Sequence, residues 1–301
     1  MSRIVIMGNG AWGNALAKVC ERAGHDVAIW SRRAPDAQAL ANAEAAIVAV
    51  GAQDVASLLA SVQLPGACAL IITAKGIDQN TSQFMHEVAK ANAPSHQAYL
   101  LSGPSFAADV LKGLPTAVTL AGPDMARAMF WALRLSLSNF RLYGTDDMLG
   151  VAIGGAMKNV LAIACGIAAG AGLGDSARAA LVTRGFAELV RFGHALGARP
   201  ETLMGLSGFG DLMLTASSDA SRNYSFGRKL GAGMTAQEAL AAVPGVVEGA
   251  ATAKVAVGLC EKHGVDMPIV SAVHAIIDKN SPYRVEMERL LARPLAAERQ
   301  S

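Results

Sequence analysis

The sequence predicts an α/β protein in two parts: a largely parallel sheet domain over residues 1–146 and an all-helical domain over 147–301. Three observations predict it. Apolar runs of strand length alternate with helical stretches through the first half, the pattern of a parallel sheet covered on both faces. The first strand leads into a glycine-rich turn, Gly8-Asn-Gly-Ala-Trp-Gly13. From about Asp147 the strand signals stop and helical patterns continue to the end of the chain.

Taken in order, Ile4–Met7 is a short apolar strand, and a helix is expected from about Asn14 to Ala23, closed by Gly24. Val27–Trp30 is a second strand. The three elements form a βαβ unit with Gly-x-Gly-x-x-Gly in its first turn. Gly8 makes the turn, Gly10 lets the backbone approach a pyrophosphate, and Gly13 lets the helix pack on the sheet. The helix N-terminus then attracts phosphate charge. A Rossmann-type dinucleotide site is expected here. After the second strand an acid would bond the adenosine ribose and favour NAD. The chain instead has Ser31-Arg32-Arg33, and arginines there can pair a 2′-phosphate, so NADP is favoured over NAD. The plainer alternative is two solvated surface arginines. Further strands are expected at Ala46–Val50, Ala69–Thr73, Ala98–Leu101, Thr116–Leu120 and Phe140–Tyr143. Ligands bind beyond the C-terminal strand ends of such sheets. Gln53, Lys75-Gly76 and Ser102-Gly-Pro-Ser-Phe106 lie at such ends and are expected to converge on one crevice.

In the helical half, Leu181–Leu196, Thr235–Ala242, Glu248–Lys262 and a segment from Pro268 to about Lys279 read as helices. Lys158 is the most informative residue. It sits in Ile153–Gly166, a stretch otherwise of small and apolar residues apart from Asn159, and its helical face of Gly154, Leu161, Ala162 and Cys165 offers no charge. Buried lysines need partners, and burial tunes them for proton transfer near neutral pH. The plainer reading is a lysine whose stem lies along a surface helix. Asp211, ending Gly205-Leu-Ser-Gly-Phe-Gly-Asp211, is either a helix cap or the carboxylate that tunes Lys158. Ser221-Arg222-Asn223 is either a phosphate cradle at a helix start or an ordinary serine cap beside an exposed arginine.

Composition narrows the class. Hydrophobic residues make up 52% of the 301, charged residues 17%, and the net charge is +2. That gives no electrostatic case for nucleic acid or an anionic membrane. The longest uncharged runs are broken by Pro65-Gly66 or rich in glycine, so no membrane span is expected. The chain enters a strand almost at once, leaving no room for a signal peptide. Cys20, Cys68, Cys165 and Cys260 are far apart in apolar segments, as reduced core thiols of a cytoplasmic protein would be. The six histidines show no metal spacing, and no metal site is expected.

These segments together resemble the bacterial-type NAD(P)-dependent glycerol-3-phosphate dehydrogenases. The matching stretches are Gly8–Gly13, Ala74–Ile77, Leu101–Ala107, Met157–Val160, Leu181–Gly185, Gly208–Asp211, Ser221–Asn223 and Val246–Gly249, in the family's order along nearly the whole chain. The resemblance implies interconversion of dihydroxyacetone phosphate and sn-glycerol 3-phosphate for phospholipid synthesis, with Lys158 as general acid/base. It implies substrate contacts from Lys75, Gly103, Ser105, Asp211, Ser221, Arg222 and Asn223. It implies cofactor contacts from Ala11, Trp12, Arg32, Arg33, Lys75, Ala107, Arg222, Val246 and Glu248, beside the three glycines.

One departure stands out. After Arg33 the family carries another helix and a third strand, whereas here only Ala34–Ala45 precede the Ala46–Val50 run. A crossover of a dozen residues is feasible, but it costs the sheet one edge strand and part of the adenosine wall. Two rivals remain: a β-hydroxyacid or ketopantoate-type reductase, whose carboxylate substrate Arg222 would bind, and a non-catalytic NADP-binding regulator. The helical half is the place expected for any homodimer face.

Overall fold

A computed structural model describes residues 1–66 and 68–294. Seven strands form one sheet: β1 (Arg3–Met7), β2 (Asp26–Trp30), β3 (Ala45–Val48), β4 (Ala69–Ile72), β5 (Gln97–Ser102), β6 (Thr116–Ala121) and β7 (Phe140–Thr145). Their order is β2-β1-β3-β4-β5-β6-β7. All pairs are parallel except β5 with β6. Each expected strand is present, with its ends moved by a residue or two. β3 and β4 are buried at every position, which explains why they read as unbroken apolar runs rather than alternating ones.

The helices of this half are α1 (Ala11–Arg22), α2 (Ala37–Leu40), α3 (Val55–Ser61), α4 (Met85–Asn92), α5 (Ala107–Lys112) and α6 (Met125–Leu135). Leu16, Val19 and Cys20 of α1 and Trp131 and Leu135 of α6 join Ile4, Ile6, Ile47, Ile71 and Leu101 in one apolar cluster. Each such side chain contributes roughly 1.5–3 kcal/mol by leaving water. The first helix starts earlier than its expected Asn14, because the Gly10 carbonyl already accepts the Asn14 N–H at 3.0 Å.

The short link after Arg33 holds only the single turn α2, capped by Asp36, whose Oδ1 accepts the Gln38 N–H at 2.8 Å. β3 then pairs directly with β1. In the doubly wound order another strand would flank β2; here the sheet ends at β2, and Ile29 is exposed.

The remaining helices are α7 (Met148–Gly170), α8 (Gly174–Leu196), α9 (Pro200–Met204), α10 (Asp211–Thr215), α11 (Arg222–Gly231), α12 (Ala236–Ala241), α13 (Glu248–His263), α14 (Pro268–Asp278) and α15 (Tyr283–Leu291), with a π-helical turn over Leu206–Gly210. α8 begins well before its expected Leu181. Its first turns are largely exposed, so they carry no apolar stripe to read. α7 is long and apolar enough to cross a membrane, and its most apolar stretch is wholly buried in the protein.

The chain divides into two compact units inside α7. One comprises Met1–Asp78 with Gln83–Ala152, the other Gln79–Ser82 with the residues from Ile153 on. Within the second, Gly166 of α7 meets Gly227 of α11, Gly170 faces the Arg228 backbone, and Gly231 faces the Ile167 backbone. A β-carbon on Gly227 would lie 2.2 Å from the Ile163 carbonyl oxygen, and one on Gly231 2.1 Å from that of Ile167. The two backbones are in direct contact, as in small-residue helix crossings.

Candidate active site

In the first unit the glycine turn is shaped as a dinucleotide cradle. A β-carbon on Gly13 would strike the Gly8 carbonyl oxygen at 2.1 Å, and one on Gly8, at φ +130, the Ala49 oxygen at 2.5 Å. Gly10 has nothing within 4 Å of that position. It is the N-cap of α1 and supplies no side-chain cap, so no cap side chain competes with a pyrophosphate for the first-turn N–H groups. Trp12 and Ala107 both pack against the sheet core beside it, while Ala11 is exposed.

The polar strand ends come together as expected. Lys75 Nζ donates to the Gly103 carbonyl at 2.9 Å, and Ser105 Oγ donates to the same oxygen at 3.1 Å. Gln53 Nε2 donates to the Ile77 carbonyl at 2.8 Å. Gly103 has φ +143, and a β-carbon there would press on Val118 Cα at 2.9 Å, so only glycine lets this loop lie against β6. At the outer end, Arg32 Nη2 donates to the Asp54 carbonyl at 3.1 Å and Ser57 Oγ at 2.7 Å. Arg33 is exposed.

In the second unit Lys158 is buried, at 7% exposure, so the surface-lysine reading fails. Its Nζ lies 3.1 Å from Asp211 Oδ1 and donates to Thr215 Oγ1 at 2.8 Å. Thr215 Oγ1 in turn donates to Asp211 Oδ1 at 3.2 Å. Asp211 is the first residue of α10, with Gly210 as the N-cap. The reading of Asp211 as the partner of Lys158 is the one these contacts support. Gly154, one turn before Lys158, makes this possible: a β-carbon there would meet the Ser207 oxygen at 2.7 Å. Its absence lets the π-helical turn lie on α7 and deliver Asp211.

Ser221 is the N-cap of α11, accepting the Tyr224 N–H at 3.2 Å, and Arg222 is exposed. The guanidinium lies against Gly245, where a β-carbon would come within 2.8 Å of Arg222 Nη1. Asn223 donates from Nδ2 to Asn159 Oδ1 at 2.9 Å and accepts the Gly249 N–H on Oδ1 at 2.9 Å. It ties α7, α11 and the first turn of α13 together. Val246 is exposed, and Glu248 opens α13. Thr215 and Asn159 were not singled out from sequence. Thr215 lies four residues after Asp211, on the same helical face, and that spacing was the available signal.

All four cysteines are free and buried, and burial pushes their thiols up to about 12. They are inert core residues.

A pyrophosphate cradle on a Rossmann-type sheet, with a buried lysine–carboxylate pair in a helical unit, defines a nicotinamide dinucleotide-dependent oxidoreductase. Residues 3–42 and 35–128 match the N-terminal family of NAD-dependent glycerol-3-phosphate dehydrogenases, and residues 147–288 match its C-terminal family. The chain is 49% identical to a glycerol-3-phosphate dehydrogenase [NAD(P)+] of Methylobacterium radiotolerans, over 98% of each chain. It is 45% identical to one of Brucella ovis, over 99% of each. The crystal structure of the Coxiella burnetii enzyme superposes with a TM-score of 0.91 at 33% identity, covering 97% of this chain and 99% of that one. The chain belongs to the NAD-dependent glycerol-3-phosphate dehydrogenase family.

Proposed function

We propose that this chain interconverts dihydroxyacetone phosphate and sn-glycerol 3-phosphate with NAD(P)H, supplying glycerophospholipid synthesis. The observation that carries the reading is the buried Lys158–Asp211–Thr215 cluster. When bound, the reduced dinucleotide supplies a hydride to the ketone carbon. Lys158 provides the proton for the carbonyl oxygen, and its ammonium stabilises the negative charge that grows there. Asp211 favours the charged lysine against the cost of burial, and Thr215 fixes the direction of Nζ. Lys75, Gly103, Ser105, Ser221 and Arg222 hold the phosphate ester, which fixes the carbonyl for transfer. Asn223 aligns the helix starts around it. Gly8, Gly10, Ala11, Trp12, Gly13, Ala107, Arg32, Arg33, Val246 and Glu248 line the dinucleotide, with NADP favoured by the arginines.

The test is the absorbance of reduced nicotinamide after dihydroxyacetone phosphate is added. Oxidation in wild type, lost in Lys158→Ala, is expected. No oxidation with this substrate, but oxidation with ketopantoate, would overturn the substrate assignment. Cofactor binding without any turnover would mark a regulator. Cytoplasmic placement is proposed on the four buried thiols. A homodimer through the helical unit is proposed on the exposed Met204, Phe209 and Met213, and sedimentation at the monomer mass would refute it.

A further inference from the structure

We infer that Asp54 supplies the ribose-reading acid that the segment after β2 lacks, and so makes this chain's cofactor use dual. The inference rests on the proposed dinucleotide site. The two matches to the N-terminal family overlap at residues 35–42 instead of running through as one. The alignment to the Methylobacterium protein spans 326 positions, although this chain has 301 residues. Between β2 and β3 the link holds only the single turn α2, and the sheet ends at β2. Something else has to face the adenosine ribose.

Asp54 ends the helical turn Ala52–Asp54 that follows β3. That segment adjoins the dinucleotide cradle, since Gly8 packs on the Ala49 carbonyl. The Asp54 carboxylate lies 3.6 Å from Arg32 Nη1, and both side chains are about half exposed. Arg32 is clamped by two further bonds, to the Asp54 carbonyl and to Ser57 Oγ. Ser57 Oγ itself donates to that same carbonyl at 3.1 Å. One short stretch of chain thus presents a carboxylate and a positioned guanidinium side by side.

The chemistry of the pair is complementary. A ribose 2′-hydroxyl donates to a carboxylate, which serves NADH. A 2′-phosphate takes a guanidinium and is repelled by the same carboxylate, so NADPH has to displace Asp54 from Arg32. An exposed pair is weak enough to be exchanged. Asp54 is a specificity-determining residue, and Ser57 a positioning residue for Arg32.

The experiment measures kcat and KM for NADPH and NADH at saturating dihydroxyacetone phosphate, with direct fluorescence titration of both dinucleotides. Asp54→Asn is expected to raise the NADPH-to-NADH ratio of kcat/KM about tenfold, through KM. Arg32→Ala is expected to lower that ratio about tenfold. Ser57→Ala should lower it severalfold, with partial rescue by Ser57→Thr. Ser61→Ala, whose hydroxyl only bonds the Leu58 carbonyl at 2.8 Å, is the control and should leave the ratio as it is. An Asp54→Asn enzyme whose two cofactors change equally, or neither changes, overturns the inference. If wild type shows no turnover with this substrate, the functional reading fails, while the titrations still decide the role of Asp54.

Discussion

Lys158 concentrates the chemistry of the site in one amine. It is buried, paired with Asp211 and bonded to Thr215. Lys158→Ala is expected to lower kcat about 10³-fold, within the range of a general acid, while the NADPH dissociation constant from fluorescence titration moves less than about threefold, because the cradle at Gly8–Gly13 is untouched. A kcat within about tenfold of wild type would remove Lys158 from the proton step. Asp211→Asn makes a sharper test of how the lysine stays charged. Without the carboxylate, burial favours the neutral amine. The alkaline limb of the kcat profile should then move to lower pH. An unmoved limb would show that some other group keeps the ammonium charged. Sequence revealed the lysine because it breaks an apolar run. It left Asp211 open, since pairing across α7 and α10 depends on how two helices meet, and it passed over Thr215, whose only signal was its spacing from Asp211.

At the scale of elements, the crossing of α7 and α11 sets the geometry around Lys158. Asn223 at the start of α11 reaches Asn159 beside the lysine, and the glycine contacts fix how closely the helices approach. Gly227→Ala places a methyl 2.2 Å from the Ile163 oxygen, which forces the backbones apart. A loss of at least about 2 kcal/mol, in the range of overpacked cores, is expected in denaturant unfolding, together with lower kcat as Asn159 and Asn223 separate. Gly258→Ala is the counterpart, since nothing lies within 4 Å of that position in α13. It should stabilise by about 0.5–1 kcal/mol through helix propensity. If both substitutions shift the midpoint alike, the crossing carries no special constraint. The strands were the most legible elements, because β1, β3 and β4 are buried on both faces and read as unbroken apolar runs. The opening of α8 was not, because an exposed helix end leaves no apolar record.

For the molecule as a whole, the class of fold and the family were legible from a few dozen residues, and the partner choices of buried polar groups were not. Glu188 is the clearest case. It lies four residues after Arg184, a spacing that suits a pair on one helix face, yet it is buried and its carboxylate accepts the N–H groups of Ile269 and Val270 at 2.8 and 3.3 Å. It holds α8 to the first turn of α14, whose own N-cap, Met267, offers no side-chain bond. Loss of hydration pushes this carboxyl up from 4.5 to about 7, against the pull of the two N–H donors. The folded chain therefore binds this proton more tightly than the unfolded chain. Its contribution to stability is complete below about pH 4.5, declines as the pH rises, and is gone above about 7. The full swing is on the order of 3 kcal/mol. Other carboxylates titrate in the same window, so the measurement is the difference between wild type and Glu188→Gln in denaturant unfolding at a series of pH values. Wild type should lose stability relative to the glutamine variant by about 2–3 kcal/mol between pH 5 and 7.5. A difference that stays flat, or grows with pH, would show that the two backbone donors already hold Glu188 ionised at pH 5.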